Sequence, residues 1–207
     1  MDTKENYVIE ILKTHNAILE GHFLLSSGLH SDKYIQCALV LQYPEIAERI
    51  AELLFEEIRN NFSMWEDINL VISPALGGII IGQEVARVIG RNNNKKIRAI
   101  FTERTDDGKM TLRRGFDITY SDNILIVEDV VTTGRSTQEV IDVVKERNGN
   151  ILALSSIINR TENENDLNFK YPYFYLMKLK INNYDPKICP LCKQGIKLVK
   201  PGSRKNF

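Results

Sequence analysis

Ile124-Leu125-Ile126-Val127-Glu128-Asp129-Val130-Val131-Thr132-Thr133-Gly134-Arg135-Ser136-Thr137 decides how this chain is read. Four aliphatics predict a buried strand, two adjacent carboxylates stand at its end, and a Thr/Gly/Ser loop follows. Gln138 to Arg147 then spaces Val140, Ile141, Val143 and Val144 as one face of a helix. The loop therefore joins the C-terminal end of a strand to a helix N-terminus. Unpaired backbone N–H groups and the positive end of the helix dipole favour an anion there, most often a phosphate. Thr132, Thr133, Ser136 and Thr137 add hydroxyl donors, and Gly134 lets the backbone close round the ligand. Glu128 and Asp129 are then placed to hold ribose hydroxyls, directly or through a hydrated Mg2+. A plain helix cap needs one Ser or Thr and no acidic pair. The stretch is neither a Walker P-loop nor a G-x-G-x-x-G fingerprint.

Outward from this motif, the same grammar repeats. Leu70-Val71-Ile72 predicts a buried strand, followed by Ser73-Pro74-Ala75-Leu76-Gly77-Gly78 and a helix through Val88. Two glycines there make a second anion nest at a strand-to-helix junction. Strands are also predicted at Ile97–Phe101 and Ile151–Ile158, and helices over residues 3–19 (stopped by Gly21) and from Pro44 to about Asn60. Strands separated by helices imply an α/β fold with a parallel sheet and helices on both faces. Ligands in such sheets bind at the carboxyl ends of the strands, where both glycine-bearing loops fall. Phe23–Leu25 and Tyr34–Cys37 read as short strands, and the tail from Tyr173 to Ile181 as a strand joining them in a small second subdomain.

The 207 residues, 43% of them hydrophobic, suffice for one domain with a real core. Formal net charge is zero, so no overall field draws the chain to nucleic acid or to membranes. No run of eighteen apolar residues and no leader-like N-terminus is present, which makes a cytoplasmic protein the expectation. Cys37, Cys189 and Cys192 do not make a disulfide framework. Cys189-Pro190-Leu191-Cys192 has the spacing of half a zinc knuckle, but a closed zinc site needs four ligands and no second C-x-x-C exists. His15, His22 or His30 would have to be brought near by folding; a reduced turn packing the tail is the preferred reading.

The acidic-pair motif resembles the 5-phosphoribosyl 1-diphosphate (PRPP) signature of type I phosphoribosyltransferases. Gly21-His22-Phe23-Leu24-Leu25-Ser26-Ser27-Gly28-Leu29-His30-Ser31-Asp32-Lys33-Tyr34 further resembles the hood segment of the orotate-using branch. The resemblance runs from about Tyr7 to Pro201. It implies a type I phosphoribosyltransferase-like parallel sheet flanked by helices, in one domain spanning 1–207. The core would cover about 44–165 and the hood about 1–43 plus 170–207. It implies the transfer of the phosphoribosyl group of PRPP to orotate with Mg2+, in pyrimidine nucleotide synthesis. Catalytic roles would fall to Glu128, Asp129, Arg104 and Lys109. PRPP contacts would come from Glu128, Asp129, Val130, Val131, Thr132, Thr133, Gly134, Arg135, Ser136 and Thr137, from Ala75, Leu76 and Gly77, and from Arg104 and Lys109. Orotate would meet Ser26, Thr132 and Arg160. No metal would bind the protein directly, Mg2+ arriving with PRPP.

Residues 102–115, with four cations among Asp-Asp-Gly, read as a mobile loop that folds over the diphosphate. The resemblance implies a homodimer in which that loop serves the neighbouring subunit's site. The chain departs from the family pattern by carrying Ser26 and Gly77 where many members have lysine, and by lacking a histidine in the loop. Arg113 and Arg114 are candidates to replace the missing cations. Two alternatives stand beside this reading: transfer to a different base, and a PRPP-sensing regulator without turnover.

Overall fold

The computed structural model describes residues 3–25, 28–161 and 167–200. Along the chain come α1 (Thr3–Thr14), β1 (Ile18–Leu24), β2 (His30–Ile35), α2 (Ala38–Leu41), α3 (Pro44–Asn61), a 3-10 turn (Ser63–Asp67), β3 (Leu70–Pro74) and α4 (Gly77–Asn93). They are followed by β4 (Arg98–Arg104), β5 (Met110–Leu112), β6 (Asn123–Val131), α5 (Arg135–Lys145), β7 (Asn150–Asn159), β8 (Tyr173–Lys178), β9 (Asn183–Tyr184) and α6 (Pro190–Lys193).

Six strands form the main sheet in the order β5-β4-β3-β6-β7-β8, parallel throughout except for the edge strand β5. Both of its faces are buried, which is why its central strands are near-continuous aliphatic runs. Val71, Leu125, Val127, Ala153 and Ile157 face one core, where α3 supplies Ala47, Ile50, Ala51, Leu54 and Ile58 at helical spacing. Leu70, Ile72, Ile124, Ile126 and Leu154 face the other, covered by Val140, Ile141, Val143 and Val144 of α5. Truncating a fully buried Leu or Ile among these to alanine would cost about 2–5 kcal/mol. The sheet is thereby a rigid platform, and the ends of its strands are fixed points.

The second sheet is small, in the order β1-β2-β9, and forms a hood. Residues beyond α6 run back along it, Val199 bridging Phe23 and exchanging hydrogen bonds with His22 O and Leu24 N at 2.8 Å.

Several sequence expectations need correction. The first helix ends at Thr14, not near residue 19, because Asn16 turns left-handed (φ 52°) and Ala17 N donates back to Leu12 O at 2.7 Å. Gly21 lies inside β1 rather than stopping a helix. Glu128 and Asp129 lie within β6, which pairs with β7 as far as Val131–Asn159. The 102–115 segment opens as a hairpin, Thr102, Glu103 and Arg104 pairing with Leu112, Thr111 and Met110. The hood boundary at residue 170 is also wrong. β8 extends the main sheet beside β7, and the segment reaching the hood is Asn183–Tyr184, paired with Ser31 and His30.

Candidate active site

Four neighbouring parallel strands deliver the site at their carboxyl ends: β4 ends at Arg104, β3 runs into Ala75-Leu76-Gly77, β6 carries Glu128 and Asp129 before its Thr-rich loop, and β7 gives way to Arg160. Two backbone bonds tie these ends together. Ala75 N donates to Thr102 O and Arg160 N to Val131 O, both at 2.8 Å. The Ala75–Leu76 peptide is cis.

The loop after β6 is built as its composition predicted. Gly134 caps α5 with φ 72°, a left-handed conformation that favours glycine. A Cβ there would also lie 2.9 Å from Leu167 Cδ2 and from Phe169 Cζ. Thr132, Thr133 and Arg135 are exposed, Ser136 is half-buried and Thr137 is buried. Beside the loop opens a cavity of about 310 Å³ lined by Thr133, Gly134, Arg135, Gln138, Glu139, Leu167 and Asn168. A second depression of that size, between α3 and α4 at Glu52, Glu56 and Arg91, is remote from every strand end that carries the motifs.

The two carboxylates differ in environment. Glu128 is buried, and burial holds its carboxyl well above the ordinary 4.5, with the charge of Asp129 adding to the effect. Asp129 is half-buried and lies close against Gly77 of the loop after β3. Burial also pushes the Cys37 thiol up, reinforced by Asp129 and Glu128, so that residue remains a neutral wall beside the acidic pair. The donors that Glu128 and Asp129 offer are oxygens, which would suit a hard cation such as hydrated Mg2+.

Arg160 is buried, yet its Nε and Nη2 atoms have no hydrogen-bond partner. Burial lowers its pKa, while Asp32 and Tyr34 of the hood act in the opposite direction. The Oδ1 atom of Asp32 is likewise buried without a partner. Burial, reinforced by the charge of Asp129, raises the Tyr34 phenol, and Arg160 acts in the opposite direction. Unpartnered buried polar atoms cost about 1–3 kcal/mol each, more when charged. Their concentration here marks a place prepared for a ligand.

The cations of the 102–115 segment are partly engaged. Arg104 pairs with Glu139 of α5 and donates to Gly108 O at 2.8 Å. Glu139 also receives Arg135 at 3.0 Å. Lys109 is exposed at the hairpin tip. Arg114 is held by both oxygens of Glu103 at 2.7 and 2.8 Å, a pair that would have to open before Arg114 could serve as a replacement cation. Ser26 lies outside the described residues. Sequence reasoning missed Asp32, Tyr34 and Cys37 as neighbours of Arg160 and Asp129; the hood's aromatic was the one signal for them.

A parallel sheet whose strand ends gather a phosphate-type loop, an acidic pair and a glycine-bearing second loop defines a sugar-phosphate transferase site. The chain belongs to the phosphoribosyltransferase family, whose domain matches residues 39–184. Within it, the chain is 47% identical over 197 residues to an orotate phosphoribosyltransferase of Caldicellulosiruptor bescii, covering 95% of this chain and 96% of that one. It is 48% identical over 189 residues to an orotate phosphoribosyltransferase of Carboxydothermus hydrogenoformans, covering 91% and 93%. In fold it is similar to the crystal structure of orotate phosphoribosyltransferase from Mycobacterium tuberculosis (TM-score 0.66, 19% identity, 86% of this chain and 97% of that one). A similar likeness holds to the Aeropyrum pernix enzyme (TM-score 0.64, 21% identity, 83% and 93%). Among the described residues, no helix is long and apolar enough to cross a membrane.

Proposed function

We propose that this protein is an orotate phosphoribosyltransferase, converting orotate and PRPP to orotidine 5′-monophosphate and diphosphate in pyrimidine synthesis. The observation that carries the choice of base is the pairing of unsatisfied groups across the cleft. Arg160 offers Nε and Nη2 without acceptors, and Asp32 offers Oδ1 without a donor. Orotate supplies a carboxylate for the first, a bidentate match for a guanidinium, and ring N–H groups for the second. Neutral uracil or a purine offers no carboxylate to pair with the buried guanidinium.

The remaining roles follow from position. Thr132 to Thr137, at the α5 N-terminus, hold the 5′-phosphate. Asp129 and Glu128 hold the ribose hydroxyls, and Ala75, Leu76 and Gly77 lie along the diphosphate. Displacement at the anomeric carbon passes through an oxocarbenium-like state, in which the ring nitrogen of orotate bonds to the sugar as diphosphate departs. The protein's contribution is positioning and charge stabilisation. Mg2+, arriving with PRPP, would neutralise charge on the leaving group. Arg104 and Lys109 would approach the departing diphosphate, and a homodimer sharing the 102–115 segment would bring them from the partner. A cytoplasmic location fits these substrates.

The test is loss of orotate absorbance with PRPP and Mg2+, run beside adenine, hypoxanthine and uracil. Turnover of orotate alone is expected, falling at least about a hundredfold in Asp129→Asn. Turnover of another base in preference, or PRPP binding without consumption of any base, would overturn the proposal.

A further inference from the structure

The hood contains a second constellation, made of residues other than the acidic pair and its loops. His22 of β1, His30 of β2, Cys189 and Cys192 of the tail place one ligating atom each within 4.8 Å of all the others. His22 Nε2 lies 2.8 Å from His30 Nδ1, 3.6 Å from Cys189 Sγ and 3.8 Å from Cys192 Sγ. Cys192 Sγ stands 3.3 Å from His30 Nδ1. A tetrahedral ion with bonds of about 2.0–2.1 Å to nitrogen and 2.3 Å to sulfur has edges of about 3.3 Å (N–N), 3.6 Å (N–S) and 3.8 Å (S–S). The observed N–S separations bracket that value, and the N–N edge is shorter by about half an ångström.

The surroundings are those of a metal-binding histidine. His22 Nδ1 donates to Ile196 O at 2.7 Å, which fixes the tautomer and leaves the Nε2 lone pair directed at the cluster. His22, His30 and Cys189 are buried, so water does not serve them, and Cys192 closes the exposed side. Without an ion, two imidazoles and two thiols share one strong hydrogen bond and a set of weak sulfur contacts. With one, all four groups are satisfied at once. Borderline-soft N2S2 donors in a closed tetrahedron select zinc over the hard ions that oxygen ligands hold.

We propose that His22, His30, Cys189 and Cys192 form a structural zinc site that staples the C-terminal segment to the hood. On binding, Zn2+ displaces the protons of both thiols, giving two thiolates and two neutral imidazoles, and the buried centre carries no net charge. The connected segments are far apart in sequence, His22 and Cys189 by 167 residues. The ion would thus constrain a long loop and hold the strand pairing of His22–Leu24 with Val199 in place. The site completes its own coordination, so its role is separate from the transfer reaction.

Metal content by mass spectrometry decides this without any activity measurement. The full, untagged chain, purified without chelator, should carry one zinc per chain. Exchange into Co2+ should give the visible bands of a tetrahedral cobalt centre with sulfur-to-cobalt charge transfer. Cys192→Ser, at an exposed position that folding tolerates, should reduce zinc to background, whereas Cys37→Ala should retain it. Zinc removal should lower Tm in the parent chain and have no effect in Cys192→Ser. The proposal is overturned by a metal-free chain with both thiols titratable, by a Cys189–Cys192 disulfide in the chain as isolated, or by zinc that survives Cys192→Ser.

Discussion

The carboxylate of Asp129 lies so close to Gly77 that a Cβ on the glycine would stand 2.6 Å from Oδ2 and 2.7 Å from Oδ1. Two loops that leave different strands of the main sheet meet at this point. No side chain, lysine included, fits at position 77 without moving the acid. Gly77→Ala should therefore act on Asp129 rather than on the fold, because α4 begins there at an exposed backbone. The expected result is a loss of about a hundredfold in kcat/KM for PRPP, the order of effect that a 1 Å misplacement brings. Tm should change by little. Kinetics and a thermal melt on one preparation check both halves.

Arg160 is predicted to oppose stability in the absence of substrate. Its buried, unpartnered nitrogens carry a desolvation cost that Asp32 and Tyr34 offset in part and that a ligand anion would offset further. Arg160→Ala should leave Tm unchanged or raised while weakening orotate use by about 2–5 kcal/mol, roughly thirtyfold to several thousandfold in kcat/KM. A variant that melts lower and still turns over orotate would contradict this.

Glu128 makes stability depend on pH. Its folded pKa is raised above 4.5, so the folded state binds more protons than the unfolded chain between those two values. The stabilising contribution is fully present below 4.5 and is lost as pH rises through the folded value. Glu128→Gln abolishes this dependence. Its Tm relative to the parent should rise with pH from about pH 4.5 upward and be flat below it; a constant difference across the range would disprove the assignment.

Arg104 must leave Glu139 before it can approach a diphosphate. The pair is partly exposed, and such pairs are worth about 0–1 kcal/mol. Glu139→Gln should thus lower KM for PRPP by up to about fivefold, whereas Arg104→Ala should lower kcat by about a hundredfold or more. Steady-state kinetics on the two single variants separates these outcomes, and an unchanged kcat in Arg104→Ala would remove the residue from the transfer step.

The alternation of strands and helices between Leu70 and Asn159 was legible because each central strand is buried on both faces and reads as an aliphatic run. The strand-to-helix turn after β6 was legible for a related reason, since its left-handed position favours glycine. What could not be read was pairing. Tyr173–Met177 has strand character, but nothing local says that β7, rather than the hood, receives it. The β4–β5 hairpin hides behind interleaved charges because only Ile100, Thr102 and Met110 of its strands are buried. Glu128 and Asp129 looked like a strand terminus, yet hydrogen bonding to β7 carries the strand on to Val131. His22 and His30 had no signal beyond their residue type, because their cysteine neighbours lie at the other end of the chain.

That separation bears on how the molecule is made. β1 and β2 emerge from the ribosome early, but the strand and tail that flank them, residues 183–199, are translated after every element of the main sheet. His22 waits 174 residues for Ile196. A nascent chain can therefore consolidate the layered core while its first hairpin still lacks a neighbour, exposing an unpaired edge in the interval. The hood sheet can therefore close only after residues 183–199 have been made, later than the strands whose ends carry the acidic pair.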